Sequence, residues 1–141
     1  MPYTLDVYDS TQPTQTDEGA TLGGEVRAIK ALAFGSRSVI TGNVAADQTS
    51  NGLVYKHTEA TARDFSLPAD TAVSPAFRKG GGFRIYNLAG AGTISIIKNG
   101  TVTIEKLGAG SVTSISLAAG GYADCVYVDT DHWVVHGSGL T

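Results

Sequence analysis

The sequence feature that most restricts the fold is a series of short segments in which apolar and polar side chains alternate. These segments begin near Ser38, recur roughly every 8–12 residues, and are separated by Gly, Pro, Asn and Asp. Alternation with a period of two places successive side chains on opposite faces of a strand. Strands at this spacing are typical of an antiparallel β-sandwich or jelly roll. We therefore predict a mainly all-β domain over residues 38–141.

The predicted strands and their faces follow from the same alternation. The segments are 39–40, 53–57, 62–67, 83–88, 93–98, 101–106, 112–117, 122–129 and 132–136. Asn99-Gly100 lies between two β-rich segments and predicts a tight hairpin, because both turn residues tolerate a positive φ. The apolar face of each segment predicts a core of Ile94, Ile96, Val102, Ile104, Ile115, Leu117, Val126 and Val128. The opposite faces carry small hydroxyl side chains, namely Ser95, Thr101, Thr103, Ser114 and Ser116. We expect such a face to lose its water easily in contact with another protein.

The composition excludes several classes of function. Only 16% of the residues are charged, the net charge is −3 and the isoelectric point is near 5.5, which argues against a nucleic-acid partner. No run of 18 apolar residues is present, so we expect no membrane contact, and the first residues lack the features of a signal peptide. The single cysteine, Cys125, excludes an intramolecular disulfide and favours a buried, inert thiol.

The N-terminal region differs from the rest of the chain. Residues 1–26 carry five acidic side chains and no Lys or Arg. We interpret residues 1–20 as an extended arm, which becomes ordered only when something holds it. An apolar stripe with helical spacing predicts a short helix over residues 22–33. The predicted organisation is therefore an N-terminal arm with one short helix, residues 1–37, followed by a β-sandwich domain, residues 38–141.

The polar residues do not form a recognisable catalytic or metal-binding pattern. His132 and His136 would share a face of a helix, but on a strand residues four apart lie about 13 Å apart, which is too far for one metal ion. Asp129 and Asp131 are typical of a turn in which aspartates bond their own backbone. We predict no catalytic residue, no cofactor, no metal site and no enzymatic activity.

Two further segments leave alternatives open. Arg78, Lys79 and Arg84 flank three glycines without the ending of a phosphate-binding loop, which favours a flexible basic loop or, alternatively, a contact with an acidic protein surface. Trp133 favours a core or subunit-interface position. The alternative is a sugar-binding platform formed with Tyr122 and Tyr127.

Two sets of motifs resemble those of tailed-phage virion proteins. The first is Asp9-Ser-Thr-Gln-Pro-Thr followed by Gly24-Glu-Val-Arg-Ala-Ile-Lys-Ala-Leu32. The second comprises Gly82–Leu88, Thr93–Ile97, Gly120–Ala123 and Trp133–Gly137, and is similar to small β-sandwich modules of phage fibres and decoration proteins. Together they cover residues 9–32 and 82–137. Because no shaft repeats follow, the chain resembles a capsid decoration or cement protein more than a fibre.

The resemblance implies a jelly-roll fold, self-association as a dimer or trimer, and binding to the major capsid protein. The protein would be made in the host cytoplasm and reside on the outer capsid surface of the virion. A tail-fibre or tail-tip module that binds another virion protein or a host glycan remains the alternative. We expect the arm, the helix and the basic loop to make the capsid contact, through Tyr3, Leu5, Val7, Tyr8, Leu22, Val26, Ile29, Arg78, Lys79 and Arg84.

Overall fold

Strands dominate the part of the chain that the structure, a computed structural model, describes, which is residues 37–141. The strands are β1 (Arg37–Ile40), β2 (Val44–Ala45), β3 (Val54–His57), β4 (Arg63–Pro68), β5 (Gly82–Asn87), β6 (Ile94–Asn99), β7 (Thr103–Lys106), β8 (Gly110–Val112), β9 (Ser114–Asp129) and β10 (His132–Leu140). The same part of the chain contains two single 3₁₀ turns, Gln48–Ser50 and Asp70–Ala72. The all-β prediction is confirmed, whereas the predicted arm and helix lie outside the described residues.

Successive strands alternate between two layers. Strands β1, β3 and β5 pair in parallel in one layer, with Arg37 opposite Val54 and Val54 opposite Arg84. Strands β2, β4 and β6 pair in parallel in the other layer, where Phe65 lies between Val44 and Ile96. The chain therefore winds from one layer to the other and back, and each pass adds one strand to each layer.

Strand β9 joins the two layers because it is long enough to pair with both. Its first part, Ser114–Leu117, runs antiparallel to β6, and residues 122–126 run antiparallel to β5. Gly120, at φ +80°, lies between the two parts. Strand β10 pairs antiparallel with β9, β7 pairs in parallel with β10, and β8 pairs antiparallel with β7.

The antiparallel part of the fold prediction is wrong for half of this architecture. The pairs β1–β3, β3–β5, β2–β4, β4–β6 and β7–β10 are parallel. Alternation along a strand identifies its two faces but contains no information about the neighbouring strand. Since each connection in the first half of the domain crosses between layers, consecutive strands are not paired with one another. The jelly-roll connectivity is not confirmed.

The predicted hairpin at Asn99-Gly100 is also wrong. Gly100 has φ +89°, but Asp131 is the one non-glycine residue with positive φ in the described part of the chain, so Asn99 does not adopt the required conformation. Strand β7 pairs with β8 and β10 instead of β6. A tight hairpin does join β9 to β10, where Asp131 with φ +54° forms the predicted Asp-rich turn.

Aromatic side chains fill the space between the layers. Phe65 of β4 meets Tyr55 of β3 with ring centroids 4.9 Å apart and Phe83 of β5 at 5.1 Å. Trp133 packs on Phe83 at 5.5 Å and on Tyr127 at 5.1 Å. These contacts show that the two layers face each other, so their outer faces point in opposite directions.

Most of the predicted core is confirmed. Ile94, Ile96, Val102, Ile104, Ile115 and Leu117 are all buried. The predicted core position is wrong for Val126 and Val128, because Cys125 and Tyr127 of β9 point inward instead. Val128 is 41% exposed. Trp133 is fully buried, as the core interpretation predicts.

Candidate functional site

The outer face of the layer β3–β5–β9–β10 carries the most concentrated group of interacting polar and aromatic side chains. Pairing between strands aligns Val54, Arg84, Asp124 and His136 in one row. The next row contains Lys56, Tyr86 and Tyr122. Their strand neighbours Tyr55, Phe83, Ile85, Ala123 and Cys125 are buried, so the two rows point outward. We call this surface the Tyr–Arg groove.

An ion pair fixes the centre of the Tyr–Arg groove. Arg84 donates from Nε to Asp124 Oδ1 at 2.5 Å and from Nη2 to Oδ2 at 2.6 Å. Its Nη1 donates to the Tyr86 hydroxyl at 3.2 Å. The hydrogen bond to Asp124 raises the pKa of Arg84, which keeps the guanidinium protonated. Bidentate pairing of this kind holds both side chains in one geometry and cancels their charges locally.

Two tyrosine rings flank the ion pair. The Arg84 guanidinium carbon lies 5.8 Å from the Tyr86 ring centroid and 5.3 Å from the Tyr122 centroid, within cation–π range of both. The two rings lie 6.2 Å apart at 44° to each other, and Tyr86 is 37% exposed. His136 Nδ1 lies 4.0 Å from Asp124 Oδ2 at the other side of the pair. These contacts hold the side chains of the surface in one arrangement.

The surface is concave on both sides of Tyr86. One depression of about 470 Å³ extends from Gly52 and Gly82 to Arg84, Asp124 and His136. A second depression of about 330 Å³ is lined by Val54, Lys56, Tyr86 and Leu88. The depressions share Val54 and Tyr86 and are therefore adjacent.

The outer face of the other layer has a different character. Pairing of β4, β6 and β9 brings together four serines around one isoleucine, namely Ser66, Ser95, Ile97, Ser114 and Ser116. We call this surface the Ser face. All five side chains point away from the core. The expectation that Ser95, Ser114 and Ser116 lie on an outer sheet face is confirmed, and Thr101 and Thr103 are exposed as well.

The three predicted basic contact residues are divided between two places. Arg84 belongs to the Tyr–Arg groove, whereas Arg78 and Lys79 lie in the exposed segment before β5. Lys79 Nζ pairs with Asp129 at 2.5 Å, which lowers the pKa of that carboxyl group. Gly80 donates its N–H to Tyr127 O at 2.7 Å, so the segment is bound to the end of β9. The other predicted contacts, Tyr3, Leu5, Val7, Tyr8, Leu22, Val26 and Ile29, lie outside the described residues.

The proposed aromatic platform does not form from the residues that were predicted for it. Tyr127 and Trp133 do contact each other, but both are fully buried. Tyr122 points outward and its aromatic neighbour is Tyr86, which the sequence reasoning missed. The alternation in β5 places Tyr86 on the same face as Arg84, so the sequence contained the pattern needed to predict Tyr86 as a surface residue beside Arg84.

A buried histidine, His57, helps to link the strands that carry the groove. His57 and Asn87 are fully buried, and His57 Nδ1 lies 2.9 Å from Asn87 Oδ1. The Asn87 amide donates to Gly92 O and Leu117 O, both at 2.9 Å. Because the amide nitrogen donates twice, its oxygen accepts, which assigns the His57 proton to Nδ1. This pair links the ends of β3 and β5 to β9.

Two residues that the sequence analysis singled out remain to be placed, His132 and Cys125. His132 contacts Glu105 at 3.2 Å. Cys125 is fully buried, and burial raises the pKa of its thiol, as expected for an inert cysteine. In residues 37–141, no three His, Cys, Asp or Glu side chains are arranged to hold a metal ion. Within the same range, no helix has the length and apolar character needed to cross a bilayer.

Comparison with known proteins identifies no relative: no protein family matches the chain, and neither a curated protein nor a solved structure matches it. The chemistry of the two outer surfaces and the motif resemblance therefore carry the functional inference.

Proposed function

We propose that this chain is a structural virion protein that decorates the outer surface of a phage capsid and bridges subunits of the major capsid protein. It acts by adhesion rather than by catalysis. The motif resemblance supplies the biological setting. The structural observation that supports the proposal most directly is the Ser face, which offers an uncharged cluster of small side chains for contact with another protein.

The composition of the Ser face suits a contact that forms with little conformational cost. Small side chains lose little rotamer freedom when they are buried, in contrast to Lys, Arg and Glu. Ile97 lies half-buried at its centre, between Ser66 and Ser114, and provides an apolar anchor. Asp64, at the edge beside Ser95, is the nearest charge along the strand pairing. An interface with an apolar centre and a polar surround is the usual arrangement between proteins.

Decoration of a lattice also explains how a small domain acts. Each contact is modest, but simultaneous engagement of neighbouring subunits raises the overall affinity through effective concentration. Self-association as a dimer or trimer, which the resemblance implies, multiplies the same effect. Self-association is measurable by light scattering of the purified protein. Contact with the capsid is measurable by binding of the protein to purified capsids.

The direct test uses heads of the encoding phage that lack this protein, mixed with purified wild-type or variant chains. Ser95→Lys and Ser114→Lys place a charge on the Ser face, and we expect each to reduce occupancy at least about tenfold through desolvation of the added charge. Thr101→Lys makes the same kind of change at an exposed turn and is the matched control. Equal occupancy for all three variants would exclude the Ser face as the capsid contact.

A second experiment addresses the predicted contribution of the N-terminal arm. Deletion of residues 1–20 removes the strongly acidic part of the sequence, and we expect lower occupancy on the same heads. Unchanged occupancy would remove the arm from the mechanism. Electron microscopy of labelled virions distinguishes decoration from the tail-module alternative, because a label confined to the tail contradicts the proposal.

A further inference from the structure

We propose that the Tyr–Arg groove is a binding site for a neutral oligosaccharide whose sugar rings occupy the two depressions on either side of Tyr86. This activity goes beyond capsid decoration and uses the opposite outer face of the domain. It rests on the geometry of Arg84, Tyr86, Tyr122 and Asp124 together with the shape of the groove.

The ion pair at the centre of the groove favours a ligand whose contacting groups there carry no charge, and Lys56 adds one positive charge in the second depression. Arg84 and Asp124 neutralise each other through two short hydrogen bonds. An anionic ligand at Arg84 would compete with Asp124, and a cationic ligand at Asp124 would compete with Arg84. A ligand rich in hydroxyl groups avoids this competition, because a hydroxyl both donates and accepts hydrogen bonds.

The ion pair retains hydrogen-bonding capacity toward such a ligand. A carboxylate has about four acceptor positions, and Arg84 occupies one on each oxygen of Asp124. The guanidinium has five N–H donors, of which three are directed to Asp124 and Tyr86. Planar groups with two adjacent donors or acceptors match a pair of neighbouring ring hydroxyls. Because the pair is already fixed, little conformational freedom is lost on binding.

The tyrosines provide the apolar part of the recognition. A sugar ring presents C–H groups on its faces and hydroxyls around its edge, so it combines an apolar and a polar surface as tyrosine does. Tyr86 belongs to both depressions, which places its ring where two consecutive sugar units meet. Tyr122 continues the aromatic surface 6.2 Å away.

The size of the first depression is compatible with a small ligand. A volume of about 470 Å³ lies within the range of roughly 300–1,000 Å³ that is usual for small-molecule sites. The groove is open to solvent along its length, which leaves part of a polar ligand hydrated. An extended peptide is the competing occupant, and the experiment below separates the two.

The test begins with the purified full chain on printed arrays of neutral oligosaccharides, acidic oligosaccharides and extended peptides, followed by calorimetry with the best neutral oligosaccharide. We expect Tyr86→Ala to weaken binding about tenfold or more, and Tyr86→Phe to stay within about threefold of the wild type, because the ring face is retained. Leu107→Ala, a truncation at a 62% exposed position on the β7–β8 turn, is the control and should bind normally. Near-ultraviolet circular dichroism from buried Trp133 verifies that each variant is folded.

Three outcomes would overturn the proposal: no binding to any neutral oligosaccharide, binding of acidic oligosaccharides alone, or full binding by Tyr86→Ala. Binding of peptides but not sugars would assign the groove to a protein partner. Since this assay requires no capsid, its result is independent of the head-occupancy experiment on the Ser face.

Discussion

Trp133 donates its indole N–H to the carbonyl oxygen of Pro68 over 2.9 Å, and this hydrogen bond ties β10 to the end of β4 in the other layer. Both residues are buried, so water does not replace the bond when one partner is removed. The same indole contacts Phe77, with ring centroids 4.8 Å apart. Trp133 therefore contributes packing and a hydrogen bond at the junction of the layers.

Replacement of Trp133 by Phe should destabilise the domain substantially. The change leaves the Pro68 carbonyl without its donor and creates a small cavity, and we expect a loss of about 2–4 kcal/mol in the free energy of unfolding. Urea unfolding followed by circular dichroism measures the loss. Val128→Ala, at an exposed position of β9, is the control and should change stability by less than about 0.5 kcal/mol. Equal midpoints for the two variants would contradict the assignment.

Alkaline pH should destabilise the domain through Tyr127. Burial and the hydrogen bond to Asp70 raise the pKa of Tyr127 to about 12. Because this value lies above the unfolded value of about 10, the contribution of Tyr127 is complete below pH 10 and is lost as the pH rises through 12. Thermal unfolding between pH 8 and 12 measures the effect.

Tyr127→Phe is the diagnostic variant for that pH dependence. It removes the ionisable hydroxyl, so its stability should fall less steeply above pH 10 than that of the wild type. Tyr55, whose pKa is also raised by burial, remains in both proteins and contributes to the residual slope. Parallel stability curves for the two proteins would show that Tyr127 is not responsible.

Gly121 should tolerate no side chain, because β9 and β10 approach closely there. A Cβ at this position would lie 2.5 Å from Ser138 O and 2.9 Å from Leu117 Cδ1. We expect Gly121→Ala to lower the free energy of unfolding by about 1–3 kcal/mol, since the backbone of β10 must move away. Gly42→Ala is the matched control, because no atom lies within 4 Å of its added Cβ. Equal stability of both variants in urea would refute the close approach.

Cys125 should react with thiol reagents only after the domain opens. The thiol is fully buried and burial raises its pKa, so little thiolate is present at neutral pH. We expect a rate of modification that follows the unfolded fraction as urea increases. Rapid modification of the native protein in buffer would show that this part of β9 opens locally.

The sequence is informative about strands and much less so about their neighbours. Alternation located β5, β6 and β10 to within a few residues, because each has one clearly apolar face. It failed for β9, where Val126 and Val128 compete with Cys125 and Tyr127 for the inward direction. Both faces of that strand carry apolar side chains, so the period alone does not select one.

The Tyr–Arg groove, too, is predictable from the sequence only in part. Local alternation places Arg84 beside Tyr86 on one face of β5, and Tyr122 beside Asp124 on one face of β9. Only the register that sets Tyr86 opposite Tyr122 brings the four side chains together. That register connects segments far apart in sequence and depends on packing of the whole domain, which no local pattern encodes.

The position of β9 in the chain has a consequence for synthesis on the ribosome. Strand β9 pairs with one edge of β5 and one edge of β6, and it is synthesised after both. These two edges therefore stay without β9 until residues 114–126 emerge from the ribosome. Unpaired strand edges are sites of aggregation in nascent chains. A chain interrupted before Ser114 would expose two such edges at once, and the last fifth of the polypeptide therefore protects the domain against mispairing.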